Sequence, residues 1–241
     1  MKYIIFLLLS LFSTITNSQV IDFIASASPG GPTDTITRRV VEVLHDKTNL
    51  KFAVLNKPGG AHTIAWRHMM ASNKPMIIIS TPEILNHPVI NEVEQVYKIG
   101  KFSTYIFVSK KSGIRTLDDL KNLSKRREII FGHSGEGTYS FIGMNELCDV
   151  IIKCLPIPYK SGPEGMLAVL TGEIDSYALV SFGSKQFLAN DNFTAIHQLK
   201  NNNNFITMFS KNVSKSDIEK IRQALKMELT STFYDDMGFE K

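Results

Sequence analysis

Residues 24–38 read IASASPGGPTDTITR, and the reading of this stretch decides the fold. Ile21 to Ala27 is a short apolar run with strand character. Pro29, Gly30, Gly31 and Pro32 break it, and helical spacing begins at once with Ile36, Val40, Val43 and Leu44. A strand that feeds a helix through a Gly-Gly turn leaves backbone N–H groups without partners in the first helical turn. Those groups and the helix dipole favour an anion. No Lys follows the glycines, so the turn is not a phosphate P-loop. Only two adjacent glycines are present, so it is not a dinucleotide fingerprint. A smaller anion such as a carboxylate fits what remains. The plainer alternative is an ordinary strand–helix connection with Thr33 or Asp34 as the helix cap.

The same pattern recurs outward from this stretch. Lys51 to Leu55 reads as a second strand and runs into Asn56, Lys57, Pro58, Gly59, Gly60 and Ala61, with a helix from His62 to Met70. Met76 to Ile79 is a third strand, closed by Ser80, Thr81 and Pro82. Ligands of open parallel sheets bind beyond the carboxyl ends of the strands, so three such turns belong on one edge. Val96 to Val108 reads as one or two strands, and Thr116 with Asp119 as a capping-box pair. Glu128 to Phe131 is a strand that ends in Gly132, His133, Ser134, Gly135, Glu136, Gly137 and Thr138 before a helix with Phe141, Met144 and Leu147. Ile151 to Ile157 is a strand followed by a turn at Pro158 to Gly162, and Ile174 to Val180 is another. Asn201 to Asn204 reads as a polar loop, and Ser216 with Glu219 as the capping box of a helix carrying Ile218, Ile221 and Leu225.

Composition narrows the function. The 241 residues are 43% hydrophobic and 21% charged, which suits one large or two small α/β domains and leaves no room for extensive disorder. A net charge of +4, dispersed along the chain, is too weak to argue for nucleic acid. Lys2, the apolar Tyr3 to Phe12 and the small, polar Ser13 to Ser18 have the layout of a signal peptide, with cleavage after Ser18. That run is too short to span a bilayer, so the mature protein should leave the cytoplasm without inserting into the membrane. Cys148 and Cys154 could pair in an oxidising compartment or stay as two buried thiols.

Catalytic readings are weaker. Gly132-His133-Ser134-Gly135 sits between a strand and a helix, but Glu136 stands where a nucleophile elbow needs its second glycine. The His and Asp pairs lack metal-ligand spacing, so neither metal nor cofactor is expected. Trp66 reads as core, whereas Tyr139 and Tyr159 sit in polar turns and are pocket candidates.

Together, PGGPTDTITRR (Pro29 to Arg39), LNKPGGAHTIA (Leu55 to Ala65), FGHSGEGTYS (Phe131 to Ser140) and PYKSGPEGMLAVLTGEID (Pro158 to Asp175) resemble the Bug family, the extracytoplasmic receptors of tripartite tricarboxylate transporters. The resemblance covers residues 20–185 and fades after Phe187, as in a shortened or divergent member. It implies an α/β, two-domain type II periplasmic binding protein (Venus-flytrap) fold. Domain 1 would be 19–101 with 196–241, and domain 2 would be 102–195. The protein would be periplasmic and non-enzymatic, and would capture a small mono-, di- or tricarboxylate for a membrane transporter or sensor protein. Carried over from the family, the ligand-binding positions are Ser28, Gly31, Thr33 and Asp34 in the first loop and Gly60 and Ala61 at the rim. Ser80 and Thr81 form the third loop, with Ser134, Gly137 and Thr138 in the second domain and Tyr159 and Lys160 in the Pro-Tyr-Lys turn. Hydroxyls of Thr33, Ser134 and Thr138 would orient the ligand, Asp34 would cap its helix, and Arg38 would make a structural ion pair. The alternatives are a ligand-free interaction protein on the same fold and a secreted serine hydrolase using Ser134.

Overall fold

The computed structural model describes residues 19–81, 88–149 and 153–240. The expected signal segment, Pro82 and the start of the strand expected at Ile151 lie outside the described residues. The elements in chain order are β1 (Ile21–Ala25), α1 (Pro32–Lys47), β2 (Phe52–Asn56), α2 (Thr63–Ala71), β3 (Met76–Ser80) and β4 (Glu94–Ser109). Then come α3 (Leu117–Ser124), β5 (Ile129–His133), α4 (Tyr139–Cys148), β6 (Cys154–Pro158) and α5 (Gly162–Thr171). The chain closes with β7 (Ser176–Val180), α6 (Lys185–Leu188), β8 (Phe193–Lys211), α7 (Lys215–Glu228) and α8 (Ser231–Met237).

The strands lie in the order β2-β1-β3-β8-β4-β7-β5-β6. β1 pairs in parallel with β2 and β3, so the turns after all three open on one edge. At the other end β5 pairs in parallel with β6 and β7. The long antiparallel pair β4 and β8 joins the two ends, each strand serving both. Helices cover both faces of each end, so strand residues are apolar whichever way they point. At the first end Phe23, Ile77 and Ile79 pack toward α1 and α7, while Ile24 and Ile78 face Trp66 and Met69 of α2. At the second end Ile106, Phe131 and Met144 lie on one side, and Phe107, Met166 and Tyr177 on the other. Trp66 is core as expected, 4% exposed.

Three details depart from or complete the sequence reading. Asn201 to Asn204 do not form a loop but run inside β8. They fall where the β4–β8 register slips between Ser103↔Lys200 and Lys101↔Phe205, so a bulge in a paired strand absorbs residues of low strand propensity. The cap of α7 is Ser214, whose hydroxyl accepts the Asp217 N–H at 3.1 Å, and Ser216 sits inside the first turn. Cys148 and Cys154 are joined as a disulfide between the end of α4 and the start of β6. The capping box at Thr116 and Asp119 is present, and Val96 to Val108 forms one strand.

Candidate functional site

A cavity of about 650 Å³ lies between the two ends of the sheet. Its walls are the turns that follow β1, β2, β3, β5, β6 and β7, the strand ends where an α/β sheet takes ligands. The N-cap residues of four helices line it: Gly31 of α1, His62 of α2, Thr138 of α4 and Ser161 of α5.

The four caps differ in kind. Thr138 accepts the Phe141 N–H at 3.2 Å and donates its hydroxyl to the Gly135 carbonyl at 2.7 Å. Ser161 accepts the Glu164 N–H at 3.3 Å, and the Glu164 carboxylate takes the Lys160 N–H at 3.0 Å. Both helices from the second end are therefore capped by their own side chains. Gly31 has no side chain to offer α1, and the His62 side chain makes no capping bond to α2. Pro32 supplies no N–H, so the first-turn donors of α1 are the amides of Thr33 and Asp34, which have no intrahelical partner. Thr33 itself lines the cavity.

The turn that carries Gly31 is held from behind. Asp34, 2% exposed, accepts the Gly30 N–H at 2.9 Å, the Arg38 Nε at 3.0 Å and the Asn56 Nδ2 at 2.7 Å. Asn56 also donates to the Ala27 carbonyl at 2.9 Å and accepts from Arg38 at 3.0 Å. Burial works to raise the Asp34 pKa, but Arg38, Asn56 and the Gly30 N–H together outweigh it and hold the carboxyl below its usual value. Asp34 is thus not the N-cap. It sits at the third helical position and reaches back to the turn, the return half of a capping box. The Arg38 ion pair is structural, as expected.

In the second end, Ser134 Oγ and the Tyr177 hydroxyl hydrogen-bond at 2.6 Å. Burial pushes Tyr177 up to about 12, which keeps it a neutral phenol. His133 Nδ1 accepts the Gly135 N–H at 3.0 Å, and burial lowers its pKa. Ser134 therefore sits in a hydroxyl network, with the neighbouring histidine turned to its own loop. Tyr159 donates to Glu173 at 2.8 Å and is pushed up to about 12 by burial and that carboxylate. The charged side chains among the cavity-lining residues are Glu136 and Lys160, both exposed. Ala27, Pro32, Leu179, Val180 and Phe182 supply apolar wall. The two ends touch beside the cavity. A Cβ at Gly183 would lie 2.9 Å from Pro32 Cα, and one at Gly137 would lie 3.8 Å from Ala61 Cβ.

Of the residues expected from sequence, Gly31, Thr33, Gly60, Ala61, Thr81, Ser134, Thr138, Tyr159 and Lys160 line the cavity. Ser28, Asp34, Ser80 and Gly137 are not among its lining residues. The Ser28 carbonyl closes the first turn onto the Gly31 N–H at 2.9 Å, and Ser80 Oγ accepts the Trp66 indole N–H at 3.3 Å. Gly137 turns the chain with φ +81°. The sequence reading missed Ser26, His62, Ser161, Leu179, Val180 and Phe182. Ser161 carried a signal, the Ser-x-x-Glu spacing to Glu164. The apolar positions carried none, because a wall residue and a core residue look alike in sequence.

Two α/β lobes joined by long shared strands, with helix N-termini converging on the cavity between them, define the two-domain type II periplasmic binding protein fold. The chain belongs to the tripartite tricarboxylate transporter receptor family (TctC), whose pattern it matches over residues 36–206, past the point at Phe187 where the resemblance had faded. It is 24% identical over 200 residues to a UPF0065 protein of Bordetella pertussis, an alignment that takes in 76% of this chain and 61% of that protein's length. Among solved structures it is similar to Rpa4515 of R. palustris with adipate, at TM-score 0.82 and 14% identity over 93% of this chain and 89% of that one. The periplasmic binding protein BugD superposes at TM-score 0.78 and 16% identity, with 91% and 85% covered. MatC from Rhodopseudomonas palustris with bound malate does so at 0.75 and 14%, with 92% and 90% covered.

Proposed function

We propose that the protein is an extracytoplasmic solute receptor that captures a small carboxylate in the cavity and presents it to a membrane transporter. The observation that carries this reading is the convergence of four helix N-termini on one cavity, of which α1 offers uncapped amides. An anionic end of the ligand meets the Thr33 amide, with the Thr33 hydroxyl beside it. Ser134 and Ser161 reach it from the opposite lobe. The wall of Leu179, Val180 and Phe182 suits the ligand's carbon chain. Family membership supports the carboxylate, and so do adipate in Rpa4515 and malate in MatC.

In this reading one lobe comprises 19–101 with the end of the chain, and the other 102–195. The register slips of β4 and β8 at Ser103 and Lys200 support those crossings as the hinge. Closure follows from the ligand's higher affinity for the closed form, in which both lobes contact it. Among the described residues, Ser134 Oγ bonds to the Tyr177 hydroxyl and His133 Nδ1 accepts from its own loop, which supports binding over turnover.

The test is a thermal-shift screen of residues 19–241 against small organic acids. A ligand at a hundred times its dissociation constant adds roughly 2.7 kcal/mol, a rise of roughly 5–10 °C for a chain of this size. A rise confined to carboxylates supports the proposal. A cooperative melt that no acid shifts refutes it.

A further inference from the structure

The turn between β2 and α2 is held in an unusual conformation. Four consecutive residues have positive φ: Gly59 at 105°, Gly60 at 56°, Ala61 at 45° and His62 at 71°. Glycine adopts these angles freely, but Ala61 and His62 carry side chains there and are strained. Backbone strain of this kind persists where the site makes use of it. The turn lines the cavity, and Ala61 faces Gly137 of the opposite lobe. His62 is walled off from solvent at its Nδ1 and faces the Ser26 carbonyl, which also borders the cavity. Burial outweighs that carbonyl and lowers the imidazole's pKa, so the ring stands in the wall as a neutral group that adds no charge to the anion site.

We infer that His62 is a specificity-determining residue, whose imidazole fills cavity volume that a glycine would leave open and so limits the length of carboxylate the closed cleft accepts. The inference deepens the proposed function and rests on it. Two consequences separate it from a structural role. Replacing His62 by Gly relieves the backbone strain, so the protein should melt at the same temperature or higher. The enlarged cavity should also favour longer acids over shorter ones.

The experiment compares the wild type with His62→Gly and His62→Asn, Asn being the side chain that best tolerates left-handed backbone. Melting temperature and dissociation constants for succinate, glutarate and adipate are measured on each. The expected result is an undiminished melting temperature for His62→Gly, with each added methylene, from succinate to glutarate and from glutarate to adipate, favoured by about tenfold more than in the wild type, the low end of what one methylene is worth in a fitted pocket. His62→Asn should fall between the two. A His62→Gly protein that melts lower than wild type shows that the imidazole is kept for the fold, and overturns the inference. An unchanged affinity ratio in both variants overturns it as well. A wild type that binds none of the acids would instead count against the carboxylate receptor itself.

Discussion

The two lobes bring the same kind of element to the cavity and finish it differently. On the side of β5 and β6, Thr138 and Ser161 cap their own helices, and the Thr138 hydroxyl both accepts from Phe141 and donates to Gly135. On the side of β1 and β2, the caps are Gly31 and His62, neither of which caps through its side chain. The Thr33 amide in the first turn of α1 lines the cavity without a capping side chain, while the turn that presents it is fixed from behind by Asp34, Arg38 and Asn56. The helix caps of one lobe are complete without ligand, and the first helix of the other lacks a side-chain cap that a ligand can replace. Hydroxyls near a helix N-terminus are thus not interchangeable as ligand contacts. Thr33 and Thr138 look equivalent in sequence, but the Thr138 hydroxyl both accepts and donates within its own loop, whereas the Thr33 hydroxyl accepts from Ser26 Oγ at 3.5 Å and keeps its proton for a ligand.

The largest expected effect is at the support of the open side. Asp34→Ala leaves the Gly30 N–H, Arg38 and Asn56 without their shared acceptor and should destabilise the fold by about 2 kcal/mol. That is less than for a fully buried pair, because the Arg38 side chain is 52% exposed. Acid affinity should be lost with it, since the first turn of α1 is no longer positioned; denaturant melts and calorimetric titration check both. The same residue sets a pH dependence. The Asp34 pKa is held below its unfolded value near 3.9, so its contribution is full above about pH 4 and is lost as pH falls further. Asp217 is also lowered, by its bond from Lys220, and acts in the same acid window. His62 and His133 are also lowered, by burial, so stability should begin to fall as pH drops below about 6.5, where the unfolded chain takes up protons first. Melting temperatures across pH 3–8 should therefore show two descents. Asp34→Ala should flatten the more acidic one.

The next pair of variants can break the comparison outright. Thr33→Ala removes a hydroxyl beside the open amide and should weaken acid binding roughly tenfold with little change in melting, the value of a hydrogen bond to a charged group. Thr138→Ala removes a helix cap and should cost about 1 kcal/mol of stability while affinity falls far less. The reverse ranking of affinities would show the second lobe to be the anion-binding side. The smallest effect on binding should come from Cys148→Ser with Cys154→Ser. The disulfide ties α4 to β6 away from the cavity, and its residues are not among the cavity's lining. Stability should drop by about 2 kcal/mol with acid affinity unchanged.

Much of this plan was legible in the sequence because its signals are local. The strand, Gly-Gly turn and helix from Ile21 to Leu44 are set by neighbours a few residues apart, and the parallel arrangement of β1, β2 and β3 follows from repeating that unit. What was not legible depends on distant partners. Nothing near Asn201 to Asn204 indicates that β4, a hundred residues earlier, carries the strand through them. The role of Asp34 is fixed by Asn56 as much as by its own helix. The occupied hydroxyl of Thr138 depends on the Gly135 carbonyl, which only the folded loop brings to 2.7 Å. Ser214, by contrast, could have been found, since Asp217 stands three residues beyond it.

The most direct test of the central claim is to follow backbone amide resonances while titrating in the acid that raises the melting temperature most. The account predicts a large, saturable downfield shift of the Thr33 amide as it takes up the carboxylate. The capped first-turn amides of Phe141 and Glu164 should move much less. Saturable binding that leaves Thr33 unmoved would contradict it.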